Sequence, residues 1–140
     1  MSLTLAEMVA AARSEAREVS PAEAAGADDS TALDLIVDVR EPNEYREGHV
    51  PRAIDIPRGL LEVRADPASP GTDATLSADR SARILVYCTK APGARSLLAA
   101  QTLRAMGYEN VEVLSGGLVA WAEAGLPVEG EGQPAMALKY

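Results

Sequence analysis

The sequence predicts an α/β fold, a three-layer sandwich in which a mostly parallel sheet is covered by helices on both faces. Three observations lead there. Apolar runs such as Leu35-Ile36-Val37 and Ile84-Leu85-Val86-Tyr87 are nearly continuous, as in strands buried on both sides. Helical patterns alternate with these runs along the whole chain. The single cysteine, Cys88, directly follows one of the strands, at the edge where such sheets hold their ligands.

The elements follow in order. Thr4 caps a first helix, with Glu7 closing a capping box and Leu5, Met8, Val9 and Ala12 at helical spacing. This segment, residues 1–17, reads as a helical extension of the domain. A short strand at Glu18-Val19 precedes a second helix, where Ser20 caps, Pro21 takes the first position and Glu23 closes the box. Gly26 and the Asp28-Asp29-Ser30 cluster end it. A strand runs from Leu33 to Val39, a short helix from Pro42 to Glu47 stopped by Gly48, and a short strand from Ala53 to Ile56. A helix is expected from Arg58 to Ala65, then a polar surface loop over residues 66–75. Arg83 to Tyr87 is a strand, Arg95 to Met106 a long helix capped by Gly107, and Asn110 to Leu114 a further strand. Gly116-Gly117 turns into a last helix ending near Ala124 and Gly125. The main domain spans residues 18–128, and residues 129–140 form a loosely held tail.

Composition narrows the function. With 140 residues, 47% hydrophobic, the chain suffices for one domain with a real core. Phe is absent, so Leu, Val, Ile, Ala and Met must fill that core, and no cofactor is needed to complete it. The net charge of −8 disfavours nucleic acid and anionic membranes as partners. No apolar stretch approaches the roughly 18 residues of a membrane span, and no targeting signal is visible, so a cytoplasmic location is expected. One cysteine and one histidine, His49, exclude an internal disulfide and a cysteine-rich metal centre.

A lone cysteine is usually a small buried hydrophobe. The surroundings of Cys88 point elsewhere. The segment Cys88-Thr89-Lys90-Ala91-Pro92-Gly93-Ala94-Arg95 joins a strand end to a helix start through small residues. Successive amides of such a loop make an anion-binding nest, and the helix start adds unpaired donors. Lys90 and Arg95 add positive charge. That setting favours a thiolate, nucleophilic at neutral pH without a histidine base. His49 is expected to hold the turn before Ala53. Glu44 and Tyr45 read as local packing and helix charge, and Trp121 as core or rim. Lys90 reads either as a solvated charge or as a group that steers an anionic donor.

At this point the sequence resembles the rhodanese homology domain, from about Val19 to Pro127. The resemblance rests on Leu35 to Pro42, Glu44-Tyr45, Gly48 to Pro57, Ile84 to Cys88, Arg95-Ser96, Leu103 to Tyr108, and Val113 to Trp121. It implies a rhodanese-like sandwich with a central five-stranded parallel sheet. It also implies a sulfurtransferase that accepts a sulfane sulfur from thiosulfate or another small anionic donor. Cys88 would be the nucleophile, and the amides of Thr89, Lys90, Ala91, Gly93 and Ala94 would cradle the outer sulfur. Arg95 would stabilise loop and donor, and Asp38 and Arg40 would form an Asp–Arg pair bracing the site. The acceptor would be a thiol, cyanide or a protein, with no metal and no organic cofactor. The loop between Cys88 and Arg95, residues 89–94, is longer than is usual in this family or in its phosphatase and arsenate reductase branch. Arg52 and Asp55 stand where glycine and asparagine are common. A binding module without catalysis, and a cysteine-dependent phosphatase or arsenate reductase, are the alternative functions. Tyr87, in place of a histidine before Cys88, speaks against the last.

Overall fold

A computed structural model describes residues 2–26 and 32–131. Its elements in chain order are α1 (Leu5–Glu15), β1 (Arg17–Val19), α2 (Pro21–Ala25), β2 (Leu35–Asp38), α3 (Pro42–Glu47) and β3 (Ile54–Asp55). A 3-10 turn (Arg58–Leu60) runs into α4 (Leu61–Ala65). Then follow α5 (Ala74–Ser77), β4 (Arg83–Tyr87), α6 (Ala94–Ala105), β5 (Asn110–Leu114) and α7 (Gly117–Glu123). The strands form one five-stranded sheet in the order β1-β5-β4-β2-β3, every neighbouring pair parallel.

The sheet divides the core into two layers. Val37, Ile84, Val86, Val111 and Val113 face one side and pack against Val9 and Ala12 of α1, Leu61 of α4 and Leu97, Ala100 and Leu103 of α6. Ile36, Leu85, Tyr87 and Leu114 face the other and meet Ala24 of α2, Val50, and Leu118 and Trp121 of α7. Alternate residues of one strand thus enter different layers, which is why the strands read as unbroken apolar runs.

The helix starts follow the capping signals. Thr4 and Ser20 each accept from the backbone N–H three residues on, at 3.1 Å, while Glu7 and Glu23 reach back to the cap. Two stretches differ from expectation. The expected helix over residues 58–65 is divided between the 3-10 turn and α4. The segment read as a loop leads into α5, which starts on Asp73, whose side chain accepts from Thr75 N at 2.9 Å. Arg52, in the position where glycine is common, has a left-handed φ of 72°. The Asp28–Ser30 cluster and the tail beyond residue 131 lie outside the described residues. Residues 129–131 run beside the end of α3: His49 and Glu129 form an antiparallel bridge, and Glu131 N donates to Arg46 O at 2.8 Å.

Candidate functional site

Cys88 follows β4 by one residue, at the carboxyl edge of the sheet and near its middle. Residues 88–95 enclose a pocket of about 210 Å³. Cys88 lies at its base, only 3% exposed. Its Sγ is 3.3 Å from the hydroxyl of Ser96, which also donates to Gly93 O at 3.1 Å. Gly93 N closes a turn on Lys90 O at 3.0 Å, and Gly93, with φ of 78°, caps α6. Among the described residues, the amides of Thr89, Lys90 and Ala91 donate to no protein acceptor. Those of Ala94, Arg95 and Ser96 open α6 and have no acceptor within the helix. All the residues expected to cradle a sulfur, Thr89, Lys90, Ala91, Gly93 and Ala94, line the pocket.

Three contacts from distant parts of the chain hold this loop. Arg95 donates to both carboxylate oxygens of Glu44 on α3, at 2.7 and 3.2 Å, and to Thr89 Oγ1 at 3.2 Å. Glu44 is therefore a clamp on the loop rather than a simple surface charge. Burial works to raise its pKa, but the bonds from Arg95 and from the Glu41 amide outweigh this and lower it. A depressed carboxylate adds stability at neutral pH that is lost only as pH falls through its folded-state value. From α1, Arg13 Nη2 donates to Pro92 O at 2.6 Å. From α7, Leu118 N and Val119 N donate to Cys88 O and Thr89 O at 3.0 and 2.9 Å.

The docking of α7 requires glycine at position 117. Its φ is 59°, and a Cβ there would stand 2.6 Å from Cys88 O and 2.7 Å from Thr89 O. Gly117→Ala must push α7 off the loop, so we expect a loss of about 1–3 kcal/mol in denaturant unfolding and a clear fall in any activity of Cys88. Unchanged stability and activity would show that the contact is dispensable.

Asp38 and Arg40 lie beneath the site, both fully buried, and neither lines the Cys88 pocket. Arg40 Nε and Nη2 bond the Asp38 carboxylate at 2.7–3.1 Å, Nη2 reaches Gly48 O at 2.6 Å, and the guanidinium lies 5.8 Å from the centre of the Tyr87 ring. Burial, with the Asp38 carboxylate beside it, pushes the Tyr87 phenol far up, and its oxygen accepts from Val50 N at 3.0 Å. His49 stacks on Tyr45 with ring centres 3.7 Å apart, and its Nδ1 meets Tyr45 O at 2.8 Å. The His49 ring nitrogen thus has the structural role expected of it, at the end of α3, while the turn before Ala53 is closed by Ala53 N donating to Val50 O at 3.0 Å and by the Tyr45 hydroxyl, which donates to Ala53 O at 2.6 Å.

Asp55, beside Asp38 on β3, has a buried Oδ1 without a partner among the described residues. Burial and then the Asp38 charge raise its pKa to about 7. A carboxyl raised in the folded state favours folding while protonated, and that advantage disappears as pH rises from about 4 to about 7. Asp55→Asn should therefore stabilise the protein at pH 8 by on the order of 1–2 kcal/mol, reduced from the full shift by water at the half-buried side chain, and match wild type near pH 4. Equal unfolding curves at pH 8 would refute the cost assigned to Asp55.

Two clefts of about 520 Å³ each lie elsewhere. One is by the amino ends of β4 and β5 among Arg17, Arg83 and Arg104, the other under α2 beside Trp121. Neither contains the cysteine. Among the described residues, no group of three or more His, Cys, Asp or Glu side chains could hold a metal ion, and no helix is long and apolar enough to cross a membrane.

Comparison with known proteins places this geometry. A family model described as a rhodanese-like domain matches residues 20–124. A sulfurtransferase of Allochromatium vinosum is 36% identical over 94 residues, which cover 67% of this chain and 77% of that protein. A solved structure of a protein of unknown function from Rhodopseudomonas palustris, described as a possible tyrosine phosphatase, superposes with a TM-score of 0.81 at 35% identity, covering 92% of this chain and 96% of that one. A thiosulfate sulfurtransferase from Pseudomonas aeruginosa superposes with a TM-score of 0.71 at 27% identity, over 90% of this chain but 22% of that larger protein. Several other curated relatives are longer, and the chain spans 28–45% of their length.

Proposed function

The chain belongs to the rhodanese-like domain family, and on that footing we propose that it is a sulfurtransferase carrying a sulfane sulfur on Cys88. One observation carries the proposal: the only cysteine sits at the base of a small pocket whose rim amides at Thr89, Lys90 and Ala91 have no protein acceptor among the described residues. The Cys88 thiolate attacks the outer sulfur of thiosulfate or of a persulfide. A new S–S bond forms, the old bond to that sulfur breaks, and sulfite or a thiolate leaves with the electron pair. Free N–H donors then stabilise the anionic persulfide as an oxyanion hole stabilises a developing charge. A thiol, cyanide or protein acceptor removes the outer sulfur and regenerates the thiolate.

Asp38, Arg40 and Arg95 act in this reading as positioning groups. The Asp38–Arg40 pair fixes the end of β2, from which Val39 N donates to Tyr87 O at 3.2 Å, next to Cys88. Arg95 spends its hydrogen bonds on Glu44 and Thr89 and so shapes the loop. Lys90, exposed at the rim, meets an anionic donor.

Intact mass tests the proposal. Incubation with thiosulfate should add one sulfur atom, fragmentation should place it on the Cys88 peptide, and cyanide should remove it. No added sulfur from thiosulfate or from glutathione persulfide would refute it. The length of the loop, together with the likeness to a possible tyrosine phosphatase, supports a second reading as a phosphatase. Cys88-dependent turnover of an aryl phosphate faster than sulfur transfer would favour it. A module that only binds partners would show neither reaction.

A further inference from the structure

Cys88 is so nearly enclosed that only the terminal sulfur of a donor reaches it. The rest of the donor must lie on the rim, and the rim is not uniform. On one side is Lys90. On the other a groove of about 310 Å³ runs between α1 and the loop, lined by Leu5, Ala6, Val9 and Ala10 of α1 and by Pro92 and Ala94. Pro92 and Ala94 also line the Cys88 pocket, so the two spaces share a wall. Arg13, at the end of the groove, ties α1 to the loop through Pro92 O. Leu5, on the wall of the groove, is 62% exposed, apolar area that folding leaves uncovered there.

We propose that this groove is a subsite for the aliphatic part of the sulfur donor. The donor class is an organic persulfide or thiosulfonate with an apolar substituent, its sulfur at Cys88 and its carbon chain against α1. This deepens the sulfurtransferase reading and rests on it. Inorganic thiosulfate has no carbon chain and leaves the groove unused. The step balances for either donor. With R–S–SH, the Cys88 thiolate bonds the outer sulfur, the S–S bond of the donor breaks, and R–S⁻ leaves while the proton stays on the Cys88 persulfide. With R–SO₂–S⁻, the same bond forms and R–SO₂⁻ leaves. Neither needs an external oxidant or reductant. The enclosing residues suit a short chain: Leu5, Val9 and Pro92 present hydrocarbon, and each methylene moved from water onto them adds binding.

The test is a homologous series of alkanethiosulfonates, from methane- to hexanethiosulfonate, with cyanide as acceptor and thiosulfate run in parallel. In wild type, kcat/KM should rise about two- to fourfold per added methylene until the groove is filled. Leu5→Asn removes a wall and Ala6→Gln fills the space. Both positions are exposed, so neither change threatens the core, and neither residue belongs to the sulfur-binding loop. Both variants should flatten the dependence on chain length while thiosulfate turnover stays at the wild-type rate. Equal kcat/KM for all chain lengths in wild type, with thiosulfate still active, overturns the subsite and leaves the sulfurtransferase reading intact. A slope that survives in both variants also overturns it. A concentration-dependent dimer that buries Leu5 and abolishes the slope would reassign the groove to a second copy of the chain. Absence of sulfur transfer from every donor, thiosulfate included, would remove the parent reading and the subsite with it.

Discussion

Cys88→Ser should leave the fold in place and abolish sulfur transfer. The change exchanges one buried atom for a slightly smaller one, and the neighbouring Ser96 hydroxyl can bond to either. The melting temperature should stay within about 2 °C of wild type. Transfer from thiosulfate to cyanide should fall by a factor on the order of 10⁴ or more, because an alkoxide is not available at neutral pH and no other thiol exists in the chain. The same variant should take up no sulfur in the mass experiment. Retention of more than about one hundredth of the activity would mean that sulfur passes through the loop without a covalent carrier, and the assignment of Cys88 would be wrong.

Asp38→Ala should have the opposite profile, with stability as its main loss. The carboxylate it removes is fully buried and holds both Nε and Nη2 of Arg40, which is also fully buried. Removing one member of a buried ion pair leaves an uncompensated charge and costs about 3–5 kcal/mol. For a domain of this size that corresponds to a fall in melting temperature of roughly 10–20 °C. A double change, Asp38→Leu with Arg40→Met, removes both charges and should recover part of the loss, since well-packed apolar replacements of buried pairs are often tolerated. Comparable melting temperatures for Asp38→Ala and Cys88→Ser would remove the bracing role of the pair. The contrast separates the proposed sulfur carrier from the pair that holds the end of β2.

Much of the fold is legible in the sequence because its signals are local. The capping boxes at Thr4 and Ser20 and the apolar runs of β2, β4 and β5 lie within a few residues of one another. The candidate site loop is legible for the same reason: a strand, a cysteine, small residues and a helix start are contiguous. The Asp38–Arg40 pair is separated by two positions and is suggested by family resemblance. Other features carry no local mark. Glu44 stands 51 residues before Arg95, and as part of a helix beginning with Pro42 it looks like an ordinary first-turn acid. Ser96 is conspicuous only once the first turn of α6 brings its hydroxyl back over Sγ. The short α5 sits in a polar stretch too brief to show helical periodicity, and its Asp73 cap resembles one more turn residue.

Legible from the chain alone are most of the elements, their alternation, and the position of the one cysteine at the carboxyl edge of a buried strand. These depend on hydrophobic period, capping and covalent succession, all properties of neighbouring residues. Tertiary packing alone set the surroundings of that cysteine. It brought Glu44 from α3 onto Arg95, set Gly117 of α7 against Cys88 O, and laid α1 beside Pro92 so that its exposed leucine borders the loop after Cys88. Those contacts join residues tens of positions apart, and they arise because the sheet order β1-β5-β4-β2-β3 gathers the strand ends and helix starts of the whole chain on one edge. A parallel sheet sends every connection over a face before returning to that edge, so the partners in its site are set by strand order rather than by nearness in sequence.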